Sequence, residues 1–290
     1  MRHSFVAFLF GEKMKAYTVD LTKEYSFLNS GKLDCMLSDY PWDEGDATKW
    51  KRPAVIVVPG GAYAFVSKRE GSPVASEFFA RGFQAFVLWY TPSPELVYPG
   101  QLLQLASAVD YVKKHAEEMN VNAEEIFVVG FSAGGHLTGN LAVEYQTVSQ
   151  KVGVELDCKP TAVGLGYPVI SKKNGHIGSY ENLLKGYTEE AQEELLKVLN
   201  LNEAVTKATP PAFIWTTAAD SAVPCDNALR YAMALAAQGI VYELHVYPRG
   251  NHGASTASKE INVEIPALDN IKTWVDMCAQ FFRMYTVEKY

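Results

Sequence analysis

From residue 53 onward the chain alternates short, β-rich apolar runs with longer amphipathic stretches. Few architectures accept that alternation, because each strand must reach its neighbour through a helix; the outcome is a mainly parallel sheet with helices on both faces. Strands are expected at Ala54 to Val58, Ala85 to Tyr90, Ile126 to Val129, Ala162 to Leu165, Ala212 to Thr216 and Val241 to Val246. Most are apolar at successive positions, as strands buried on both faces are. Leu102, Leu105, Val109 and Val112 make one helical stripe, and Ile271, Trp274, Val275, Cys278, Phe281, Phe282 and Tyr285 make another; both are read as core. Tyr17 to Leu21 and the region around Leu33 to Leu37 precede the first strand-helix unit and are expected as antiparallel strands at the sheet edge.

At 290 residues, 48% of them apolar and 20% charged, the chain is long enough to bury roughly 75% of its unfolded surface around one α/β core. Residues 15–290 are read as that domain, and residues 1–14 as a non-native or disordered extension, since strand-like sequence begins only at Lys15 and Met14 offers a second start. Phe5 to Phe10, behind Met1-Arg2-His3-Ser4, imitates a signal peptide, but the apolar run is shorter than the usual 7–15 residues and no cleavage site follows. No run approaches the roughly 18 apolar residues of a membrane span. A net charge of -7 lacks the basic footprint that nucleic acid or anionic lipid requires. Neither is an expected partner; a homo-oligomer is left open. Cys35, Cys158, Cys225 and Cys278 are too scattered for a zinc site or a CxxC pair and are read as free thiols. With no full export signal, these features point to a cytoplasmic protein.

Residues 171–208 break the rhythm. They hold Lys172-Lys173-Asn174-Gly175-His176, then a helix starting at Thr188 with Glu189 and Glu190 in its first turn. An insertion of this length between strands is expected to cover something, as a small cap.

Gly130-Phe131-Ser132-Ala133-Gly134 directly follows the strand ending at Val129, and Gly135-His136-Leu137 opens the next helix. Glycines two positions either side of the serine permit a sharp, strained turn that lifts the hydroxyl above the strand ends. Alone, the pentapeptide also fits an ordinary glycine-rich turn. A second glycine turn, Pro59-Gly60-Gly61-Ala62-Tyr63, ends the strand Ala54 to Val58, where the amides of an oxyanion hole belong. The expected donors are the amides of Gly61, Ala62 and Ala133. An acid and a histidine should then follow in that chain order. Asp220 lies just past the strand Ala212 to Thr216, and His252 just past Val241 to Val246. Loops beyond the carboxyl ends of parallel strands converge on one crevice, so all four segments point to one place. The other histidines fit less well as the base: His245 sits within a strand, His115 in a polar helical stretch, His136 in the helix behind Ser132 and His3 in the N-terminal tail, while His176, in the insertion, is read as a surface residue with substrate contact as the alternative. Asp110 and Asp226 fall on predicted helices and Asp269 comes after His252.

These blocks, together with Lys68-Arg69-Glu70, Pro73-Val74-Ala75, Pro210-Pro211-Ala212-Phe213 and Val223-Pro224, resemble the α/β-hydrolase superfamily over nearly all of residues 53–285. Within it they resemble the carbohydrate acetylesterase and feruloyl-esterase-like group related to hormone-sensitive-lipase-type esterases. The resemblance implies a Ser-Asp-His triad at Ser132, Asp220 and His252, no metal or other cofactor, and removal of acetyl or other small acyl groups from sugars, xylan fragments included. Ala62 stands where such turns usually have a further glycine; it keeps the amide and narrows the acyl pocket. Tyr63 and Tyr180, with Trp89, Tyr90 and Tyr98, are candidate faces for a sugar ring or, equally, core aromatics. A general esterase of simple or lipid esters, a peptidase, and a non-catalytic receptor on the same fold are the competing readings. A histidine base predicts activity that falls as pH drops through the ordinary imidazole range, about 6 to 7. A rate profile flat down to pH 4 would remove the histidine from the chemistry.

Overall fold

The computed structural model describes residues 14–38, 51–262 and 268–287. Residues 1–13 of the expected 1–14 extension, His3 among them, lie outside these, whereas Met14, its last residue, opens the first strand and pairs with Ser38. Eight strands form one sheet in the order β1-β2-β4-β3-β5-β6-β7-β8. They are β1 (Met14–Asp20), β2 (Lys32–Ser38), β3 (Arg52–Val58), β4 (Gln84–Trp89), β5 (Val121–Phe131), β6 (Ala162–Gly166), β7 (Ala212–Thr217) and β8 (Tyr242–Tyr247). β1 pairs antiparallel with β2, and β2 antiparallel with β4; every other pairing is parallel. This is the α/β-hydrolase architecture expected from the sequence. Leu21, assigned to the first strand from its hydrophobicity, instead opens a short 3-10 turn, Leu21–Lys23.

The apolar runs split by alternation, one set of side chains to each face. Ala54, Ile56 and Val58 of β3, with Ile126 and Val128 of β5, belong to the larger core cluster, under α2 (Gly100–Lys114), α3 (Ala133–Glu144) and α8 (Asp226–Ala237). Val55, Val57, Phe127, Val129 and Phe131 face the other way, with Phe213 and Trp215 of β7, toward α1 (Ser72–Ala80) and α9 (Trp274–Arg283). There Phe282 stacks on Phe127 at 4.4 Å between ring centroids, and Trp274 stacks on Trp215 at 5.2 Å. Both helical stripes read from the sequence are therefore core. The cysteines are free thiols, and burial pushes Cys35 and Cys158 up to about 12. Among the described residues no helix is long and apolar enough to cross a membrane.

The insertion holds three further helices, α5 (Ile177–Leu183), α6 (Glu189–Leu199) and α7 (Leu201–Ala204); α4 (Val148–Val152) precedes β6. Thr188 caps α6 by accepting from the amide of Ala191, as its position predicted. α5 is not apparent in the sequence because its cap is the His176 side chain, accepting from the Ser179 amide, a role seldom given to histidine.

What fastens the insertion to the sheet is a buried polar cluster. Tyr63, just past β3, donates to His136 Nδ1 (2.8 Å); His136 Nε2 donates to the Leu199 carbonyl (2.9 Å), which also accepts from the Tyr180 hydroxyl (2.9 Å). Tyr63 and Tyr180 are each only 1% exposed. The expectation that they meet substrate is thereby corrected: both rings are spent on internal packing. Tyr90 and Tyr98 are likewise buried, with hydroxyls on the Pro59 carbonyl and the Glu144 carboxylate, and Trp89 donates to Asp34.

His136 must be neutral to accept from Tyr63, and burial pushes its pKa down to about 4 from the ordinary 6.5. An unfolded imidazole takes a proton below about 6.5 while the folded one stays neutral, so stability falls as pH drops through that window, by on the order of 3 kcal/mol in all. His136→Gln is expected to be less stable at neutral pH but to lose less between pH 7 and 4, as read by urea unfolding at several pH values. Parallel curves for the two proteins would show that His136 does not govern this loss.

Candidate active site

Each candidate residue stands at the carboxyl end of a parallel strand. β5 runs straight into Ser132, β3 into the turn Pro59 to Tyr63, β7 leads to Asp220 and β8 to His252. Ser132 has a left-handed backbone, φ 53° and ψ -120°, and is the residue before α3. Three backbone bonds hold it there: its amide donates to Gly166 (3.0 Å), and its carbonyl accepts from Val169 (3.1 Å) and His136 (3.0 Å). Such strain persists only where the surroundings over-determine it. The flanking glycines are required by space. A Cβ on Gly130 would lie 2.2 Å from the Gly134 carbonyl oxygen, and one on Gly134 2.2 Å from that of Val58.

His252 Nε2 lies 2.8 Å from Ser132 Oγ, and His252 Nδ1 lies 2.7 Å from Asp220 Oδ2. A carboxylate only accepts, so the ring proton sits on Nδ1 and the Nε2 lone pair faces the serine hydroxyl. Asp220 is 6% exposed, and its second oxygen accepts from the amides of Ala222 and Val223, each at 2.9 Å. Those two bonds fix the carboxylate plane, which in turn fixes the imidazole. The edge of Tyr167 packs on the His252 ring at 4.9 Å.

Ser132 and His252 open on a cavity of about 260 Å³ that Gly61 and Ala62 also line. The Gly60 amide is committed to Glu70 Oε2 (2.8 Å), whereas among the described residues the amides of Gly61 and Ala62 have no partner. Ala133 is the first residue of α3, and the first amides of a helix lack an intrahelical acceptor. Three backbone donors are thus free beside the serine. His115 and His245 lie away from the cavity, paired with Glu24 and Glu118 and with Glu243 respectively.

The structure adds residues that the sequence did not single out for roles. Glu70 is 4% exposed; besides the Gly60 amide it accepts from the Tyr167 hydroxyl (2.6 Å), which itself accepts from the Ser255 amide (3.0 Å). One carboxylate therefore joins the turn after β3 to the loop carrying His252. Its signal in the sequence was only its place in Lys68-Arg69-Glu70. His176, read as a surface residue, lines the cavity instead, because capping α5 turns its ring inward. Phe65 and Arg69 complete the wall. Among the described residues no group of His, Cys, Asp and Glu is arranged to hold a metal ion.

Residues 44–235 match the protein family described as BD-FAE, a stretch that includes Ser132 and Asp220 and ends before His252. The chain is 36% identical over 216 residues to endo-1,4-beta-xylanase B of Butyrivibrio fibrisolvens, covering 72% of this chain and 34% of that protein. It is 30% identical over 247 residues to an acetylxylan esterase of Xylanibacter ruminicola, covering 82% of this chain and 46% of the other. The chain thus spans between a third and a half of the length of these relatives. Among solved structures, the acetyl ester-xyloside bifunctional hydrolase of Caldicellulosiruptor lactoaceticus superimposes with a TM-score of 0.80 at 29% identity, over 94% of this chain and 98% of that one. A match over more than half of the sequence, with the sheet order and a serine turn to go with it, identifies the chain as a member of the BD-FAE family.

Proposed function

We propose that this protein is a serine esterase that removes small acyl groups, acetyl foremost, from carbohydrates such as xylo-oligosaccharides. The observation that carries the reading is the unbroken relay from Asp220 through His252 to Ser132, at 2.7 and 2.8 Å, opening on a cavity with free amides beside it. In the first step His252 takes the Ser132 proton as the oxygen attacks the ester carbonyl, and Asp220 holds the imidazole and stabilises the imidazolium. The amides of Gly61, Ala62 and Ala133 receive the oxyanion. His252 then gives its proton to the leaving alcohol. A water, deprotonated by the same ring, splits the acyl-serine to the acid and restores the hydroxyl.

Acetyl is favoured by space: about 260 Å³ is below the roughly 300–1,000 Å³ of sites for drug-sized ligands, and Ala62 narrows it beside the nucleophile. Sugar as the alcohol is supported by the names of the relatives, an acetylxylan esterase and an acetyl ester-xyloside hydrolase. The insertion at 171–208 supplies His176 to the wall, which supports its role in holding the alcohol.

Ser132→Ala and His252→Ala are each expected to lower kcat by on the order of 10⁶, and Asp220→Asn by about 10⁴, with double variants no worse than the worst single one. The substrates are acetylated xylo-oligosaccharides and p-nitrophenyl acetate, butyrate and octanoate. Rapid octanoate hydrolysis with slow sugar deacetylation would turn the reading into a general esterase, and failure of a fluorophosphonate to label Ser132 would point to a receptor. Glu70→Gln keeps the side-chain volume but can accept at one position only. It is expected to lower kcat about 10- to 100-fold with KM nearly unchanged, and, because one buried donor loses its acceptor, to lower stability by about 1–3 kcal/mol. Loss of stability with kcat unchanged at temperatures where the variant stays folded would make Glu70 a residue for folding alone.

A further inference from the structure

We propose that the alcohol half of the cavity recognises a carboxylate-bearing sugar, a uronyl group on or beside the acylated residue, through the guanidinium of Arg69. This rests on the esterase reading above and narrows its substrate. Arg69 lines the same cavity as Ser132 and His252. Its Nη2 donates to the carbonyl of Gly253 (3.2 Å), the residue after His252, and to Asn262 Oδ1 (2.8 Å). In the esterase reading His252 protonates the departing alcohol, so a side chain anchored on the residue after it stands on the alcohol's side.

Charge then decides what that side chain is for. Both acceptors of Arg69 are neutral, and among the described residues no carboxylate pairs with it. Arg81 and Arg230, by contrast, meet Glu77 and Asp276, and Asp226. The carboxylate next along the chain, Glu70, is buried, with its oxygens committed to Gly60 and Tyr167. The Nε and Nη1 donors of Arg69 are without partners among the described residues, in a chain whose net charge of -7 repels anions at long range. A cation in the cavity is therefore a local feature, not part of a basic surface.

The rest of the wall suits a sugar ring. Phe65 is 59% exposed and offers an apolar face. His176 Nδ1 accepts from the Ser179 amide (3.2 Å), so its proton is on Nε2, a neutral donor for a hydroxyl. An apolar face, a neutral donor and a guanidinium with no carboxylate partner among the described residues are together met by a carboxylated pyranose and not by an alkyl chain.

The test compares acetylated xylo-oligosaccharides with and without a glucuronyl side group, using the full chain. Wild type is expected to favour the acidic substrate about tenfold in kcat/KM, the lower end for a charge-assisted bond because Arg69 is exposed, and the preference should shrink as salt rises. Arg69→Gln should abolish the preference, and Arg69→Lys retain part of it. Equal kcat/KM for both sugars in wild type, or an equal loss on both in Arg69→Gln, overturns the proposal; the second result would make Arg69 a support for the His252 loop. If neither sugar is deacetylated while p-nitrophenyl acetate is, the carbohydrate reading has failed and the decision passes to 3-carboxyphenyl against 3-carbamoylphenyl acetate. There a wild-type preference for the carboxylate, relative to Arg69→Gln, sustains the anionic subsite, and its absence removes it.

Discussion

The helix behind Ser132 can start where it does only because Gly134 lets its backbone close on the end of β3. A Cβ at that position would stand 2.2 and 2.3 Å from the carbonyl oxygens of Val58, held by the pairing of β3 with β5, and Pro59, which accepts from the Tyr90 hydroxyl. That approach sets the distance between two loops that the proposed chemistry needs side by side: the serine turn after β5 and the amide-bearing turn after β3. Once it is fixed, the φ of 53° at Ser132 follows, since the chain must reverse from strand to helix within one residue. Sheet register carries the constraint outward. β6, β7 and β8 follow β5 in parallel, so Gly166 receives the serine amide while Asp220 and His252 emerge at the same level.

Two buried polar clusters then brace the loops against one another. Glu70 links Gly60 to Tyr167, Tyr167 links on to Ser255, and Ser255 Oγ returns to the Arg69 carbonyl at 2.6 Å. Tyr63, His136 and Leu199 do the same between the β3 turn, α3 and the insertion. Within a low-dielectric interior such groups hold one geometry firmly when every partner is present, and each lost partner leaves a buried polar atom exposed to the full desolvation cost, about 1–3 kcal/mol. These clusters tie loops that the strand ends alone do not join to one another.

Strand alternation and loop order sufficed to place Ser132, Asp220 and His252 at the carboxyl ends of parallel strands, because that position is a property of the chain order. Which way a side chain turns there is not. Tyr63 follows the β3 glycines, where a substrate contact is reasonable, yet a φ of 57° swings its ring inward to His136. Tyr180 sits on a helix whose start has no ordinary capping residue, so its buried face had no visible period. His176 shows the converse: a polar residue in a polar segment reads as surface until its capping bond to Ser179 is known. Glu70 was hidden for a similar reason, since an acid between Arg69 and Gly71 carries no mark of burial, and its partners lie 10 and 97 positions away.

Ala62 joins the turn after β3 to the insertion. Ala62 and Tyr63 are consecutive non-glycine residues with positive φ, 56° and 57°, a conformation that costs on the order of 1–2 kcal/mol per residue. The turn keeps that shape because three contacts hold it: Ser93 donates its amide to the Tyr63 carbonyl (2.7 Å), the Tyr63 hydroxyl reaches His136, and Asn182 Nδ2 donates to the Ala62 carbonyl (3.0 Å). Asn182 belongs to α5, in the same insertion that brings His176 to the cavity. One segment thus both walls the cavity and pins the turn that offers its amides beside Ser132. Removing the Asn182 amide would free the Ala62 carbonyl from within the segment whose start supplies His176, so in the proposed reaction substrate selection and oxyanion binding draw on the same insertion.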